Sequence, residues 1–239
     1  MKYTIITGAT GGIGTAVANT LADEGKSLIL IDVRDPSEFA VKLMERGVDV
    51  KSLVLDIANY SELGLLDALV TENQLEIEGL VHLAGITRDK TLLKMDPNDW
   101  DLVIRVNLTG TFNMVQCASK YMQPSGGSIL VTGSTSALYG NYGQVNYVAS
   151  KGGAEAMMKT SARELARYHI RVNCLIPGFI ETPMSAAIPE EQMKRVIQSI
   201  PLGRVGKPQD VANLVSFLMS DKASYITGSS FKIDGGLRI

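Results

Sequence analysis

Seven short apolar runs recur along the chain, and polar or amphipathic sequence separates each from the next. The runs do not alternate between polar and apolar residues, which is typical of strands covered on both faces. Helical periodicity marks intervening segments such as Ile13–Glu24 and Asn146–Ala166. This alternation predicts an α/β fold with a doubly wound parallel sheet flanked by helices. The seven predicted strands are Tyr3–Thr7, Ser27–Ile31, Val50–Leu55, Gly79–Leu83, Ser128–Thr132, Arg171–Leu175 and Ser230–Ile233.

The length of the chain limits the number of domains. Its 239 residues, 45% of them hydrophobic, can bury one substantial core. No linker, repeat or low-complexity tract divides the sequence, so we interpret residues 1–239 as a single domain. Proline and glycine residues between Pro177 and Pro201 interrupt the strand-helix rhythm. We therefore predict a substrate lid at about residues 179–200.

Charge and cysteine content exclude several classes of protein. The net charge is −2, and the basic residues are scattered, which argues against nucleic-acid or membrane-surface binding. The two cysteines, Cys117 and Cys174, and the isolated His82 and His169 have no partners at ligand spacing, so we expect no metal. From its strand-like N-terminus we expect no signal peptide, and no apolar run reaches membrane-spanning length. We expect a cytoplasmic protein that acts on a small molecule.

A glycine-rich run follows the first predicted strand and precedes the first helix. In this context Gly8 permits a tight turn, Gly12 allows the backbone to approach a pyrophosphate, and Gly14 allows helix and strand to pack closely. The helix that begins near Ile13 would direct its first N–H groups at the phosphates. An ordinary glycine-rich loop is the alternative interpretation. The run predicts a dinucleotide site and a Rossmann-type sheet.

An aspartate at the end of the second strand supports this interpretation. Asp32 is placed to accept hydrogen bonds from the adenosine ribose hydroxyls, and its charge would repel a 2′-phosphate. We therefore predict NAD(H), while Arg34 leaves NADP(H) open. Asp56 and Ile57 follow the third strand and are a second candidate contact with the cofactor. For Asp56, a helix cap before residues 58–69 is an alternative of nearly equal weight.

A tyrosine and a lysine four residues apart indicate the chemistry. On a helix Tyr147 and Lys151 lie on the same face, so a phenol and an ammonium can converge. A free tyrosine titrates near ~10, and a nearby positive charge lowers that pKa. This pair therefore predicts a proton donor, with Lys151 lowering the pKa of Tyr147. Ser134 precedes the pair and follows the fifth strand, where a simple polar turn is the alternative.

Further motifs follow one family pattern. They are Thr7–Gly14, Ala84–Asp89, Val106–Gly110, Gly143–Tyr147, Pro177–Thr182 and Asp234–Gly236. With these residues the chain resembles, from end to end, the single-domain short-chain dehydrogenases/reductases. Within that family it is most similar to the 3-oxoacyl (β-ketoacyl) reductases that act on carrier-protein or coenzyme-A thioesters.

This resemblance implies roles for particular residues. It implies that Ser134 orients the substrate carbonyl, Tyr147 transfers the proton, Lys151 binds the nicotinamide ribose, and Asn107 holds a water in a proton relay. An interior helix residue satisfied by the backbone is the alternative for Asn107. The resemblance also implies a homotetramer. It implies further cofactor contacts at Ala84, Gly85, Ile180 and Thr182.

The chain departs from the family pattern in two places. The family usually has two asparagines before Ala84, whereas this chain has His82 and Leu83, so the hydrogen bond that braces the central strand is replaced or absent. Residues 123–128, before the fifth strand, carry no positive charge, and only Arg167 remains before the sixth. This argues against docking of an acidic carrier protein. It favours an acyl-CoA thioester as the substrate.

The function predicted from the sequence is therefore an NAD(H)-dependent oxidoreductase. It would interconvert a secondary alcohol and a ketone, on a 3-hydroxyacyl or 3-oxoacyl thioester. One alternative keeps this chemistry on a sugar, cyclic alcohol or steroid. Another, from a different class, is a non-catalytic module that senses the redox state of a dinucleotide. The complete set Asn107, Ser134, Tyr147 and Lys151 disfavours the sensing module.

Overall fold

A sheet of seven parallel strands forms the centre of the molecule, in a computed structural model that describes residues 2–182 and 190–237. Each strand pairs in parallel with its neighbours. The strands are β1 (Lys2–Thr7), β2 (Ser27–Asp32), β3 (Val50–Val54), β4 (Glu76–His82), β5 (Gly127–Thr132), β6 (Ile170–Pro177) and β7 (Ser230–Ile233).

Helices cover both faces of this sheet. Helices α3, α5 and α7 contribute buried side chains to the core on one face, and α1, α2 and α9 do so on the other. The helices are α1 (Gly12–Asp23), α2 (Ser37–Met44), α3 (Leu63–Glu72), α4 (Pro97–Ile104), α5 (Gly110–Met122), α6 (Thr135–Tyr139), α7 (Val145–Leu165), α8 (Glu190–Gln198) and α9 (Pro208–Met219).

The central strands explain why the apolar runs are continuous. Successive side chains of a strand point to opposite faces of the sheet. Ile5 belongs to the core on the α3–α5–α7 face, and its neighbour Ile6 belongs to the core on the α1–α2–α9 face. Ile29 and Leu30 divide in the same way. Because both faces of these strands are buried against helices, polar residues do not alternate with apolar ones along them.

The order of the strands determines where a ligand can bind. The order is β3-β2-β1-β4-β5-β6-β7, so the chain moves outward from β1 in one direction and then restarts beside β1 with β4. The strand order therefore reverses between β1 and β4. In open parallel sheets, ligands bind outside the carboxyl ends of the strands at such a reversal.

The predicted α/β fold with a seven-stranded parallel sheet is confirmed. The predicted helices Ile13–Glu24 and Asn146–Ala166 are one residue out of register with α1 and α7 at each end. The third strand ends at Val54, one residue before the predicted end, and the fourth begins at Glu76, three residues early. The lid stays a prediction, because residues 183–189 of the proposed 179–200 segment lie outside the described residues.

The described part of the chain contains no helix with the length and apolar character needed to cross a bilayer.

Candidate active site

The glycine-rich turn lies at the reversal between β1 and β4. Gly8 has φ +66°, a conformation that favours glycine, and a Cβ there would lie 2.9 Å from the Ala84 backbone nitrogen. A Cβ on Gly14 would lie 2.1 Å from the Gly8 carbonyl oxygen. Helix α1 begins at Gly12, and no side chain caps its N-terminus. The turn therefore presents N–H groups that no side chain caps, which suits a pyrophosphate.

Asp32 ends β2 with its carboxylate almost completely buried. The residue is 8% exposed. Its Oδ2 accepts hydrogen bonds from the Thr10 backbone N–H (3.0 Å) and hydroxyl (2.7 Å), and its Oδ1 accepts one from the Arg34 N–H (3.1 Å). The Arg34 Nε lies 3.8 Å from the same Oδ1. Asp32 thus lies beside the glycine-rich turn, where the sequence predicts the adenosine ribose.

Asp56 and Ile57 lie beyond β3 and are engaged locally. The Asp56 Oδ1 accepts a hydrogen bond from the Ala58 N–H at 2.9 Å, and the Asp56 N–H donates to Glu62 at 2.8 Å. The Ile57 side chain is 4% exposed, and its carbonyl accepts a hydrogen bond from Asn113. The carboxylate of Asp56 therefore stabilises a turn, a local role similar to the helix cap that was the alternative interpretation. A cofactor contact at Asp56 or Ile57 stays a prediction.

Ser134, Tyr147 and Lys151 come together beyond the carboxyl end of β5. Ser134 is the extended residue before α6, while Tyr147 and Lys151 project from one face of α7. The Ser134 Oγ accepts a hydrogen bond from the Ser136 N–H at 3.2 Å, and Ser134 lowers the pKa of Tyr147. The Lys151 Nζ lies 5.9 Å from the centroid of the Tyr147 ring and donates to the Thr132 carbonyl at 2.9 Å. This arrangement sets a phenol, a hydroxyl and an ammonium around one small volume.

The environment of Tyr147 differs from the predicted one. Burial raises the pKa of Tyr147, the hydrogen bond from Ser134 lowers it, and the negative charge of Asp89 raises it. The Lys151 ammonium donates a hydrogen bond to the Thr132 carbonyl at 2.9 Å, and its lowering of the Tyr147 pKa stays a prediction. Burial also lowers the pKa of Lys151 to about 8. Tyr147 therefore keeps its proton at neutral pH.

Asn107 lies in a π-helical turn, Arg105–Thr109, between α4 and α5, and is fully buried. Its Oδ1 accepts from the Ile86 N–H (2.8 Å), and its Nδ2 donates to the Ile86 carbonyl (2.9 Å) and to Ser150 (3.1 Å). A Cβ on Gly85 would lie 3.2 Å from Asn107 and 3.3 Å from the Lys151 Nζ. The Asn107 side chain braces the loop after β4, as in the alternative interpretation, and the water relay stays a prediction.

His82 replaces the asparagine that would brace the central strand. Its Nδ1 hydrogen-bonds the Thr7 hydroxyl at 2.9 Å, and its carbonyl accepts from the Thr132 hydroxyl at 2.7 Å. The Thr7 oxygen also accepts from the Leu83 and Ala84 N–H groups at 3.2 and 3.3 Å. The imidazole is fully buried, and its Nε2 has no hydrogen-bond partner. Burial, with a contribution from the Lys151 charge, lowers the pKa of His82 to about 3.

The buried imidazole predicts a specific loss of stability in acid. A folded-state pKa near 3 lies below the unfolded value near 6.5, so protons bind preferentially to the unfolded chain between these pH values. We expect His82 to lower the free energy of unfolding by up to about 1.4 kcal/mol per pH unit as the pH falls through this window. Urea unfolding of the protein and of His82→Asn from pH 7 to pH 4 measures this slope.

His169 provides the matched control for this experiment. It is exposed and has φ +59°, a left-handed conformation that asparagine tolerates. Because this residue is exposed, unlike the buried His82, His169→Asn should keep the slope of the unmodified protein. The slope should become shallower in His82→Asn alone. Equal slopes in His82→Asn and in the unmodified protein would contradict the assignment.

Ile180 and Thr182 follow β6. Ile180 is 6% exposed and packs in the core on the α1–α2–α9 face. A Cβ added to Gly206 would lie 2.6 Å from the Ile180 Cδ1. The Phe179 carbonyl accepts from the Gly206 N–H at 2.9 Å, which ties this segment to the chain before α9. Contacts of Ile180 and Thr182 with a cofactor stay predictions.

Three threonines matter at this site: Thr7 and Thr10 lie in the predicted glycine-rich motif, and Thr132 lies outside the predicted motifs. Thr7 and Thr132 end β1 and β5, and Thr10 lies inside the glycine-rich turn. A signal for Thr7 and Thr132 exists in the sequence, because hydroxyl groups that end parallel strands lie at the ligand-binding edge of the sheet. No group of three or more histidine, cysteine or acidic side chains that could hold a metal ion occurs among residues 2–182 and 190–237.

Comparison with known proteins agrees with this geometry. A protein-family model described as enoyl-(acyl carrier protein) reductase matches residues 8–238. The chain is 43% identical to the 3-oxoacyl-[acyl-carrier-protein] reductase FabG of Thermotoga maritima, over 100% of this chain and 98% of the relative. It is 39% identical to the human (3R)-3-hydroxyacyl-CoA dehydrogenase, over 98% of this chain and 94% of the relative. FabG of Staphylococcus aureus is also 39% identical, over 99% and 98%.

Proposed function

Because the chain belongs to the short-chain dehydrogenase/reductase family of oxidoreductases, we propose that it interconverts a 3-hydroxyacyl and a 3-oxoacyl thioester with NAD(H). The observation that carries the proposal is the position of the Lys151 Nζ, 5.9 Å from the centroid of the Tyr147 ring and 2.9 Å from the Thr132 carbonyl beyond which Ser134 follows. This set lies at the same edge of the sheet as the glycine-rich turn. A proton donor and a dinucleotide site at one edge suit hydride transfer to a carbonyl.

The residues at the reversal between β1 and β4 fit a dinucleotide. Family members use a nicotinamide dinucleotide, and the cradle formed by Gly8 and Ala84 would be filled by any side chain at position 8. We propose that the N-terminus of α1, from Gly12 to Gly14, binds the pyrophosphate. When bound, the nicotinamide ring supplies or accepts the hydride. Lys151, buried to 3% exposure, is placed to hydrogen-bond a ribose near Gly85.

Asp32 supports NAD(H) over NADP(H). Its nearly buried carboxylate carries a fixed negative charge at the end of β2, where an additional phosphate would be repelled. Arg34, the residue that left NADP(H) open, lies 3.8 Å from this carboxylate and so has its charge partly offset. Because Asp32 is negatively charged and Arg34 is engaged with it, the site favours the adenosine ribose of NAD(H), which has both hydroxyl groups free.

We assign the proton transfer to Tyr147. Its phenol keeps the proton at neutral pH, so in the direction of reduction it donates this proton to the oxygen that gains charge as hydride arrives. Ser134, which lowers the pKa of the phenol, would donate a hydrogen bond to the same oxygen. The ammonium of Lys151 lies near the ring and stabilises the phenolate that remains. In oxidation the same groups act in reverse.

The thioester assignment draws on the names of the relatives and on the charge of the chain. The similar proteins are named for 3-oxoacyl-[acyl-carrier-protein] and 3-hydroxyacyl-CoA chemistry. Residues 123–128 of this chain lack the positive charge that an acidic carrier protein would contact. We therefore propose a coenzyme-A thioester. The homotetramer and the cytoplasmic location stay predictions.

The experiment that tests the proposal follows the loss of reduced-nicotinamide absorbance with acetoacetyl-CoA. We expect turnover with NADH that exceeds turnover with NADPH by about tenfold or more in kcat/KM. Crotonyl-CoA, which offers a carbon–carbon double bond, is the matched control and should remain unreduced. Turnover only with NADPH would contradict the role given to Asp32. No turnover with either cofactor would contradict the thioester and direct the search to sugars, cyclic alcohols and steroids.

A further inference from the structure

The carboxylate of Asp32 has nearly exhausted its capacity to accept hydrogen bonds. Each carboxylate oxygen offers about two lone-pair positions. Both positions of Oδ2 are used by Thr10, through its backbone N–H at 3.0 Å and its hydroxyl at 2.7 Å. One position of Oδ1 is used by the Arg34 N–H at 3.1 Å. A single acceptor position therefore remains for a ligand.

These contacts also restrict the orientation of the carboxylate. Rotation of the Asp32 side chain would break the two hydrogen bonds from Thr10 and the bond from Arg34 together. At 8% exposure, the freed oxygens would find little water to replace those donors. The negative charge is consequently held in one place, at the end of β2 beside the glycine-rich turn.

We propose that Thr10 is a positioning residue that determines cofactor specificity, because its hydroxyl holds the Asp32 carboxylate where it repels a phosphorylated ribose. The inference rests on the proposed dinucleotide site and extends the proposed function to a residue outside the cofactor contacts. Thr10 acts through Asp32. It also acts indirectly on Arg34, since a carboxylate held in place keeps the guanidinium beside it and away from a 2′-phosphate.

Replacing Thr10 with alanine isolates the hydroxyl. The backbone N–H of residue 10 and its bond to Asp32 remain, so residue 10 keeps one of its two bonds to Asp32. Without the 2.7 Å hydroxyl bond, the carboxylate gains freedom to move away from an incoming phosphate, and Arg34 is released towards it. Thr10→Ser keeps the hydroxyl and serves as the conservative variant.

The test measures the dissociation constants of NADH and NADPH by titration of reduced-nicotinamide fluorescence, without substrate. We expect Thr10→Ala to lower the ratio of the NADPH constant to the NADH constant by about tenfold, the effect of losing one hydrogen bond to a charged group. Thr10→Ser should stay within about twofold of the unmodified ratio. Thr15→Ala is the matched control, because its hydroxyl bonds only the Gly11 and Gly12 carbonyls, at 3.1 Å.

A double-mutant cycle separates this role from a general loosening of the turn. In an Asp32→Ala background, Thr10→Ala should leave the ratio unchanged, because the carboxylate that Thr10 positions is gone. An unchanged ratio in Thr10→Ala alone, or an equal loss of affinity for both cofactors, would overturn the inference. If the unmodified protein prefers NADPH, the proposed cofactor is contradicted. The role of Thr10 is tested separately, because it is judged from the change that Thr10→Ala makes in the ratio of the two constants.

Discussion

Replacing Tyr147 with phenylalanine is expected to lower kcat by about 10²- to 10⁴-fold while the dissociation constant for NADH changes little. The substitution removes one oxygen and keeps the ring, so packing on α7 is preserved. It removes the proton donor and leaves the bond between the Ser136 N–H and Ser134 in place. The measurement is steady-state reduction of acetoacetyl-CoA, with the NADH constant determined separately by fluorescence titration.

Tyr225 is the matched control for this prediction. Its side chain is fully exposed, so Tyr225→Phe removes the same atom without touching the candidate site. We expect this variant to keep kcat within about twofold of the unmodified protein. Near-normal turnover by Tyr147→Phe would refute proton transfer by Tyr147. A matching loss of NADH affinity would show that the hydroxyl supports the cofactor site and not the chemical step.

Replacing Gly14 with alanine is expected to abolish dinucleotide binding and to lower the free energy of unfolding by about 3 kcal/mol. A Cβ at this position would lie 2.1 Å from the Gly8 carbonyl oxygen and 2.9 Å from the Ala9 Cα. Both neighbours are backbone atoms, so no flexible side chain can move aside. The turn must separate from α1, and this displaces the N–H groups proposed to bind the pyrophosphate.

Gly64 is a helical glycine without such a neighbour. It lies exposed near the start of α3, and no atom lies within 4 Å of an added Cβ. Gly64→Ala should leave NADH binding intact and raise the free energy of unfolding by up to about 1 kcal/mol, since alanine has the higher helix propensity. Urea unfolding and NADH titration of both variants make the comparison. Normal binding by Gly14→Ala would disprove the close approach of α1 to the turn.

Local patterns were sufficient for the elements that carry the site. The four-residue spacing of Tyr147 and Lys151 placed both on one face of a helix, as observed in α7. The position of Asp32 at the end of an apolar run placed it at the ligand-binding edge of the sheet. Such inferences succeed because helical and strand periodicities are set by the backbone and do not depend on distant residues.

The protonation of the site could not be predicted in the same way. The sequence predicts that Lys151 lowers the pKa of Tyr147, but burial raises this pKa, and the ammonium binds the Thr132 carbonyl. Likewise, nothing in the sequence showed that the Thr7 hydroxyl would meet His82 across 75 positions of chain. Desolvation and hydrogen-bond partners depend on which strands become neighbours in the sheet. The spacing of Tyr147 and Lys151 in the sequence does not contain that information.

The α/β fold, the number of strands and the location of the candidate site could be predicted from local signals, because continuous apolar runs and glycine positions act through local backbone geometry. How the site residues are engaged depends on contacts between distant parts of the chain. The tertiary structure shows that Thr10 and Arg34 occupy most of the Asp32 carboxylate and that Asn107 braces the Ile86 backbone. These hydrogen bonds and this burial involve residues that are far apart in the chain, so they form only once the sheet has assembled.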